Sequence, residues 1–220
     1  MESFTGFCIS LKQFADNQAI ADIIHTKGRT KGLIKNLYSK SKKRNILDVG
    51  NYVKFTWYGK ENSLGIIAIN STIKNFGLEC SLSKNQVKLF NKIIKQINLT
   101  DHLNFETENL TIQTLTAIAN NSDLACVYSL KLQQEILRLC GHGLNIEKCV
   151  KTGNEVKFIS PITGHGVSEE VGLPFKKKLF SITSILSLDL SELNTARPSS
   201  EDINKTEEIL DYFFKKLVDN

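Results

Sequence analysis

The hydrophobic pattern changes its period near residue 78, and this change restricts the fold more than any other feature of the sequence. Before that point apolar residues alternate with polar ones in short runs, as where Val53 and Phe55 share one face of residues 52–58. From Ser83 onward apolar residues recur every three or four positions, which is the period of an amphipathic helix. The sequence therefore predicts an α+β protein in which strands come first and helices follow.

The first segment contains several short candidate strands and no clear helix. Alternation covers residues 7–11, and an apolar run covers residues 19–26. Residues 52–58 and 64–70 flank a turn, which predicts a hairpin. Four or more short strands within about 75 residues favour a small β-barrel.

The second segment carries helix signals at four places. The helical period is strong after Ser83 and weaker across residues 110–118. Asp123 is a good N-cap for a third helix that ends near residue 140, before a glycine. A capping box at residues 199–202 precedes the apolar stripe of a terminal helix. The second segment is therefore predicted to be mostly helical.

Charge is distributed unequally between the two segments. Residues 1–77 hold 12 basic and 5 acidic side chains, a net charge of +7, whereas residues 78–220 hold 16 basic and 18 acidic side chains, a net charge of −2. Such an asymmetry predicts two domains, 1–78 and 79–220, of which the first faces a polyanion.

The positive charge is densest in residues 27–44, which contain eight bases and no acid. An even scatter of the 28 basic residues would put about two or three in a window of this length, so the run favours binding of nucleic acid or another polyanion. Gly28 and Gly32 interrupt the run, where glycine permits turns or a close backbone approach. With Lys54 on a nearby strand, the candidate binding residues are Lys27, Arg29, Lys31, Lys35, Lys40, Lys42, Lys43, Arg44 and Lys54.

Tyrosines lie beside these cations. Tyr38 is inside the basic run, and Tyr52 and Tyr58 share a strand face with Lys54. Rings next to cations suit single-stranded nucleic acid, because charge holds the phosphates while bases stack on the rings. An ordinary barrel surface explains the tyrosines equally well, and Trp57 is expected in the core.

The cysteines and histidines do not form a recognisable metal motif. The five cysteines are an odd, scattered set, and no basic segment followed by an apolar run begins the sequence, so reduced thiols in the cytoplasm are expected. Four residues in the second segment could in principle bind zinc, but no C-x-x-C pair supports such a site. They are Cys140, His142, Cys149 and His165.

The common signatures of enzymes and membrane proteins are also missing from the sequence. There is no G-x-x-x-x-G-K-[ST] loop, no G-x-S-x-G elbow and no H-E-x-x-H pair. We therefore predict no catalytic residue and no cofactor. No run approaches the ~20 apolar residues of a membrane-spanning helix.

Several stretches of the sequence resemble the RecO family of recombination-repair mediators, and together they span nearly the whole chain. No single stretch is unique to the family; their order and spacing carry the resemblance. They are residues 7–10, 26–32, 47–53, the strand around Trp57, 64–65, 134–137, 139–141, Cys149, 152–153 and 158–161.

This resemblance implies an N-terminal OB-fold barrel, a helical C-terminal domain and a function in recombinational repair. Its implied activities are binding of single- and double-stranded DNA, annealing of complementary strands, and loading of RecA onto strands covered by single-strand-binding protein (SSB). The implied partners are RecR and the acidic C-terminal tail of SSB, and the implied location is the cytoplasm at the nucleoid. The basic run 176–178 is a candidate contact for that tail, although a solvated turn explains it equally well.

The sequence departs from the family in one region. Some RecO proteins carry a zinc site of the form C-x-x-C…C-x-x-C in the C-terminal domain. Here Cys149 matches the first ligand, while Thr152, Ser168 and Val171 stand at the other three positions. Because one ligand cannot hold zinc, we predict a degenerate, metal-free insertion at about 146–175.

Three other functions remain open on the sequence alone. The first is a generic OB-fold module that binds single-stranded nucleic acid without mediator activity. The others are a nucleic-acid enzyme with a dispersed active site and a scaffold whose basic segment binds an acidic protein.

Overall fold

The structure, a computed structural model, describes residues 3–37, 47–60 and 64–219. The chain forms two compact units, residues 1–121 and residues 122–220. The predicted boundary at residue 78 falls inside the first unit, just after its last barrel strand. Among the described residues, no helix has both the length and the apolar character needed to cross a membrane.

Five strands of the first unit form a closed barrel in the order β1-β2-β3-β5-β4. They are β1 (Ser3–Ala15), β2 (Gln18–His25), β3 (Gly28–Lys35), β4 (Asn51–Tyr58) and β5 (Gly65–Asn75). Pairing of β1 with β4 closes the barrel, and all neighbours are antiparallel except β3 and β5. This OB-like barrel, followed by helices, confirms the predicted α+β fold and the predicted hairpin.

Strand β3 occupies the place where the sequence indicated only turns or a close backbone approach. Gly28 and Gly32 both belong to it, and their missing side chains hide the alternation. The close approach is present at Gly32, where an added Cβ would lie 2.7 Å from Cγ1 of Ile67. Glycine is therefore needed there because β3 passes tightly against β5.

The barrel core is filled from alternate positions of each strand. Val53 and Phe55 of β4 are fully buried, and Trp57, which was expected in the core, is partly buried and packs against the same cluster. The other buried members are Cys8, Ala19, Ala21, Ile23, Ile34, Leu37, Leu47 and Ile67. Side chains at the intervening positions therefore point to the outside of the barrel.

The described part of the first unit also contains the helices α1 (Phe76–Glu79), α2 (Lys84–Ile97) and α3 (Phe105–Ala119). The hydroxyl of Ser83 accepts a hydrogen bond from the backbone of Gln86 and caps α2, as the helical pattern after Ser83 indicated. Asn104 caps α3, because its side-chain Oδ1 accepts a hydrogen bond from the backbone N–H of Thr107.

The second unit pairs two long helices, α4 (Ala125–Leu139) and α7 (Ser200–Asp219). The prediction that Asp123 caps α4 is wrong: Leu124 occupies the cap position, because residues 122–125 first form a turn closed by Ser122. At α7 the hydroxyl of Ser199 accepts from the backbone of Asp202, which is half of the predicted capping box.

Short elements connect these helices. A three-stranded sheet has the order β7-β6-β8. The elements are β6 (Phe158–Ile159), β7 (Gly166–Val167), α5 (Glu169–Gly172), a 3-10 helix (Leu173–Lys178), β8 (Phe180–Ser181), α6 (Ser184–Ser187) and a second 3-10 helix (Leu190–Glu192).

Candidate nucleic-acid interface

Strand β3 places basic residues on the outside of the barrel. Its inner face carries Gly32 and Ile34, which are buried. Because side chains alternate along a strand, the residues between and beside them point outward. These outward residues are Arg29, Lys31, Leu33 and Lys35.

Arg29 is held by the barrel and the segment after α2, so most of its donors are already used. Its Nη2 lies 2.7 Å from Oδ2 of Asp22 and 2.8 Å from Oδ1 of Asn98. Its Nη1 donates to the carbonyl oxygens of Asn98 and Thr100 at 3.2 and 3.5 Å. Only 24% of the side chain is exposed. This geometry gives Arg29 a structural role; its predicted role in DNA binding stays a prediction.

Lys31 and Lys35 have a different environment, because their side chains are exposed. The Nζ atom of Lys31 lies 3.6 Å from Asp22, and 65% of its side chain is accessible. Lys35 is exposed at the end of β3, opposite Gln18 of β2. Exposed pairs of this kind are worth little, so phosphate can compete for the ammonium of Lys31.

A row of partly exposed residues crosses the barrel beside these lysines, and we call it the outer stripe. Strand register aligns one residue from each of the five strands on this outer face. The outer stripe consists of Lys12, Ile20, Leu33, Ile66 and Tyr58. Ile66 is 39% exposed and Tyr58 is 43% exposed, so apolar and aromatic surface is open to a ligand.

The other predicted contacts lie away from the outer stripe or outside the described residues. Lys27 lies in the turn between β2 and β3, with its Nζ 5.6 Å from the centre of the Phe4 ring. Lys54 is exposed on β4, where its neighbours across the strands are Thr5 and Ser71. Lys40, Lys42, Lys43, Arg44 and Tyr38 lie outside the described residues.

Tyr52 is covered by the first unit and offers no open ring. It is 9% exposed and packs 4.7 Å from the ring of Phe7. Its hydroxyl also donates to the carboxylate of Glu108 on α3. Burial raises the pKa of Glu108, and the Tyr52 hydrogen bond only partly opposes that rise. Of the two described tyrosines predicted to stack on bases, Tyr58 alone presents its ring on the outer stripe.

The sequence patterns did not indicate that Lys12, Ile20, Leu33 and Ile66 belong to this surface. Lys31, Leu33 and Lys35 stand at every second position, which is a local signal for the outer face of β3 even though the glycines hide the inner face. The row itself depends on register between strands that are far apart in sequence, which no local pattern reveals. Chemically, the surface offers cations for phosphates and apolar faces for bases.

The cysteine and histidine positions in the second unit do not assemble a metal site. The described residues contain no group of three or more His, Cys, Asp and Glu that could hold a metal ion. Cys140 is the C-cap residue of α4 and is partly exposed. Cys149 is buried, and hydrogen bonding with the Thr152 and Ser168 side chains and with the backbone of Lys151 and Ser168 lowers the pKa of its thiol to about 6.

A second basic surface in the second unit follows directly on α5. The 3-10 helix Leu173–Lys178 ends in three exposed lysines, 176–178. Leu173 is 58% exposed and Phe175 is 59% exposed. Apolar side chains next to cations are a combination that suits an acidic peptide with an apolar end.

Comparisons with known proteins find relatives over nearly the full length of the chain. It is 30% identical over 218 residues to the DNA repair protein RecO of Ehrlichia chaffeensis, covering 96% of this chain and 87% of the relative. Identity is 27% over 217 residues to the DNA repair protein RecO of Rickettsia akari, covering 97% and 89%. For the DNA repair protein RecO of Bartonella quintana it is 22% over 187 residues, covering 81% and 74%. No protein-family profile matches the chain.

Proposed function

The chain belongs to the RecO family of DNA repair proteins, and from this membership we propose that it is a DNA-binding recombination mediator. In this role it binds single- and double-stranded DNA, anneals complementary single strands, and helps load RecA onto single strands coated by SSB. The single observation that carries the proposal is the outer stripe, with exposed lysines of β3 beside it. Enzymatic turnover and cofactors have no part in the proposal.

Binding of a single strand on this surface follows from its chemistry. Lys31 and Lys35 attract phosphates, while the Tyr58 ring and the aliphatic side chains of Leu33 and Ile66 contact base faces. Strands about 4.8 Å apart give the five-residue row a length of roughly 20 Å. Contacts to phosphates and base faces carry no sequence information, so binding is independent of sequence.

Annealing follows from neutralising charge. Two complementary strands repel one another through their phosphates, and lysines bound to one strand reduce that repulsion. The predicted contacts Lys40, Lys42, Lys43 and Arg44, which lie outside the described residues, add to the same positive segment of the sequence.

For the protein partners we propose the acidic C-terminal tail of SSB and RecR. The exposed 3-10 helix Leu173–Lys178 offers lysines for the acids of the tail and Phe175 for its apolar end. RecR enters the proposal through family membership, and we assign it no surface. The proposed place of action is the cytoplasm, at the nucleoid.

The first experiment measures annealing of complementary fluorescent oligonucleotides, each coated with the cognate SSB. The wild-type chain is compared with two charge-reversal variants: Lys31→Glu with Lys35→Glu, and a second in which residues 40, 42, 43 and 44 become Glu. We expect the wild type to accelerate annealing. The annealing rate with each variant should be roughly tenfold or more below the rate with the wild type, because phosphate contacts dominate affinity. The matched control is Lys84→Glu with Lys88→Glu, which reverses two exposed charges on α2, a helix that contributes no residue to the outer stripe.

The same assay separates the alternatives. Tight binding to naked strands without acceleration on SSB-coated strands would reject the mediator role and leave a generic single-strand binder. Cleavage or modification of labelled DNA would instead indicate an enzyme. In a third variant Lys176, Lys177 and Lys178 become Ala. This variant should fail to accelerate annealing of SSB-coated strands but should still anneal naked strands, because annealing of naked strands depends on the barrel.

A further inference from the structure

Two turns of the second unit are closed by the same kind of backbone hydrogen bond, although φ is +73° at Gly153 and −87° at Gly172. In residues 149–153 the N–H of Gly153 donates to the carbonyl oxygen of Cys149 at 2.8 Å. In residues 168–172 the N–H of Gly172 donates to the carbonyl oxygen of Ser168 at 2.9 Å. Each turn thus spans five residues and ends in glycine. Its first and fourth positions are the ones that match the zinc ligands of some other RecO proteins.

The side chains of the two turns meet. Oγ1 of Thr152 donates to Oγ of Ser168 over 3.2 Å, and the sulfur of Cys149 lies within hydrogen-bonding reach of both hydroxyls. The backbone N–H groups of Lys151 and Ser168 also bond to that sulfur. A second connection runs from Nδ2 of Asn154 to Oε1 of Glu170, 3.0 Å away.

Packing around the turns fixes their distance from the small sheet. Cys149 and Ser168 are each 3% exposed. An added Cβ on Gly172 would lie 2.4 Å from Cδ2 of Phe158, so the second turn packs directly against the Phe158 ring of β6. The turns are therefore joined inside a packed region and not on an open loop.

The residues present do not fit the zinc ion that some members of the RecO family carry. Two facing turns suit a tetrahedral zinc site when each supplies two ligands separated by two residues, as in C-x-x-C. Such a site needs four sulfur, nitrogen or carboxylate ligands. Here the four positions hold one thiol, two hydroxyls and the isopropyl group of Val171. Neutral hydroxyls and an alkyl group cannot replace thiolates as zinc ligands, so this set does not hold the metal.

We propose that a hydrogen-bonded cluster of Cys149, Thr152 and Ser168 joins the two turns in place of a metal ion, and that the backbone of the turns still has the form of a four-thiolate site. The region is then stable without metal, and three substitutions convert it into a zinc site. This inference is independent of the proposed function, since it concerns how the second unit holds residues 149–172 together.

The first test uses the full chain and measures metal. Wild-type protein should contain less than about 0.1 equivalent of zinc, and its Tm should not change with a chelator, because no ligand set is present. One equivalent of zinc in the wild type, or a chelator-dependent Tm, would overturn the proposal.

The second test restores the ligands in a Thr152→Cys, Ser168→Cys, Val171→Cys variant. This variant should bind about one equivalent of Co²⁺ with thiolate charge-transfer absorption, which Zn²⁺ then displaces. Adding Cys149→Ser should weaken Co²⁺ binding by roughly tenfold or more, because one of four ligands is lost. Failure of the triple variant to bind Co²⁺ would show that the turns lack the proposed geometry.

The third test removes the hydroxyls without adding ligands. Thr152→Val with Ser168→Ala should lower the Tm by roughly 2–6 °C, as expected for a few lost hydrogen bonds in a chain of this size. The control is Thr163→Val, because Thr163 accepts from the backbone two residues later, as Thr152 does, but lies outside both turns. An equal Tm for the double variant and the control would reject the cluster as the link between the turns.

Discussion

Arg29 and Asp22 are joined across the β2–β3 hairpin by two hydrogen bonds, with Nη2 2.7 Å from Oδ2 and Nε 3.4 Å from Oδ1. The same carboxylate lies 3.6 Å from the far more exposed Lys31. Two bases that are only two positions apart in the sequence therefore differ in what they do. Arg29 links the barrel to the segment after α2, whereas Lys31 is open to a ligand.

Replacing Arg29 should affect stability more than DNA affinity. Arg29→Ala removes its bonds to Asp22, Asn98 and Thr100, and leaves the weak Lys31 contact as the ion pair that the described residues offer the largely buried Asp22. We expect the free energy of unfolding in urea to fall by about 1–3 kcal/mol. Lys35→Ala is the control, since that side chain is exposed, and its unfolding free energy should change by less than about 0.5 kcal/mol. Equal losses in both variants would contradict the structural role of Arg29.

The salt dependence of binding should identify the lysines that contact phosphate. If about four bases contact single-stranded DNA, log K should fall with log[salt] at a slope of roughly −3. Lys31→Ala with Lys35→Ala should make the slope shallower by roughly 1.4, because two counterions fewer are released. Fluorescence anisotropy with a poly-dT oligonucleotide measures both slopes.

A control variant decides whether this change in slope is local. Lys84→Ala with Lys88→Ala lowers the net charge by the same amount but changes α2. Its slope should equal that of the wild type. If both double variants change the slope equally, the protein binds DNA through its overall charge and the outer stripe has no special part.

Local periodicity was sufficient to predict most strands and helices of this chain. The alternation of Val53 and Phe55 and the cap at Ser83 are both present in the structure, because each depends on residues close in sequence. Strand β3 was not predicted as a strand, because Gly28 and Gly32 remove side chains from its inner face. A glycine inside a strand has the same local sequence signal as a glycine in a turn, and only the position of the neighbouring strand distinguishes them.

The candidate site was predictable only in part. The basic run marks the right strand, but charge alone does not separate Arg29 from Lys31, since the partners of Arg29 include Asn98 and Thr100, about seventy residues away. The outer stripe likewise depends on the register between Leu33 and Ile66. Such long-range pairings are set by closure of the barrel, which the sequence pattern does not specify.

Glu108 should make stability depend on pH. Burial raises the pKa of this carboxyl in the folded state, so between its ordinary pKa and the raised value the folded protein holds more protons than the unfolded chain. Stability should therefore fall as pH rises through that window. Glu108→Gln should remove this slope in urea titrations across acidic pH, because the amide does not ionise.

Tyr52→Phe tests the same pair from the other side. The Tyr52 hydroxyl donates to Glu108 and lowers its pKa, so removing the hydroxyl should raise that pKa further. The window in which stability falls should then extend to higher pH. An unchanged pH profile in both variants would mean that Glu108 is solvated in the folded protein.

A side chain at Gly50 should destabilise the first unit. Its φ of 87° is in the left-handed region, and an added Cβ would lie 2.4 Å from Cζ of Phe90 on α2. Gly50→Ala should lower the free energy of unfolding by about 2–4 kcal/mol, because backbone strain and steric overlap add. The control is Gly141→Ala, where φ is 78° but no described heavy atom beyond the adjoining residues lies within 4 Å of the added Cβ, so only the roughly 1–2 kcal/mol of strain applies. Phe90→Leu should rescue part of the loss in the Gly50→Ala protein, since it shortens the side chain that the methyl group meets; no rescue would leave backbone strain as the whole effect.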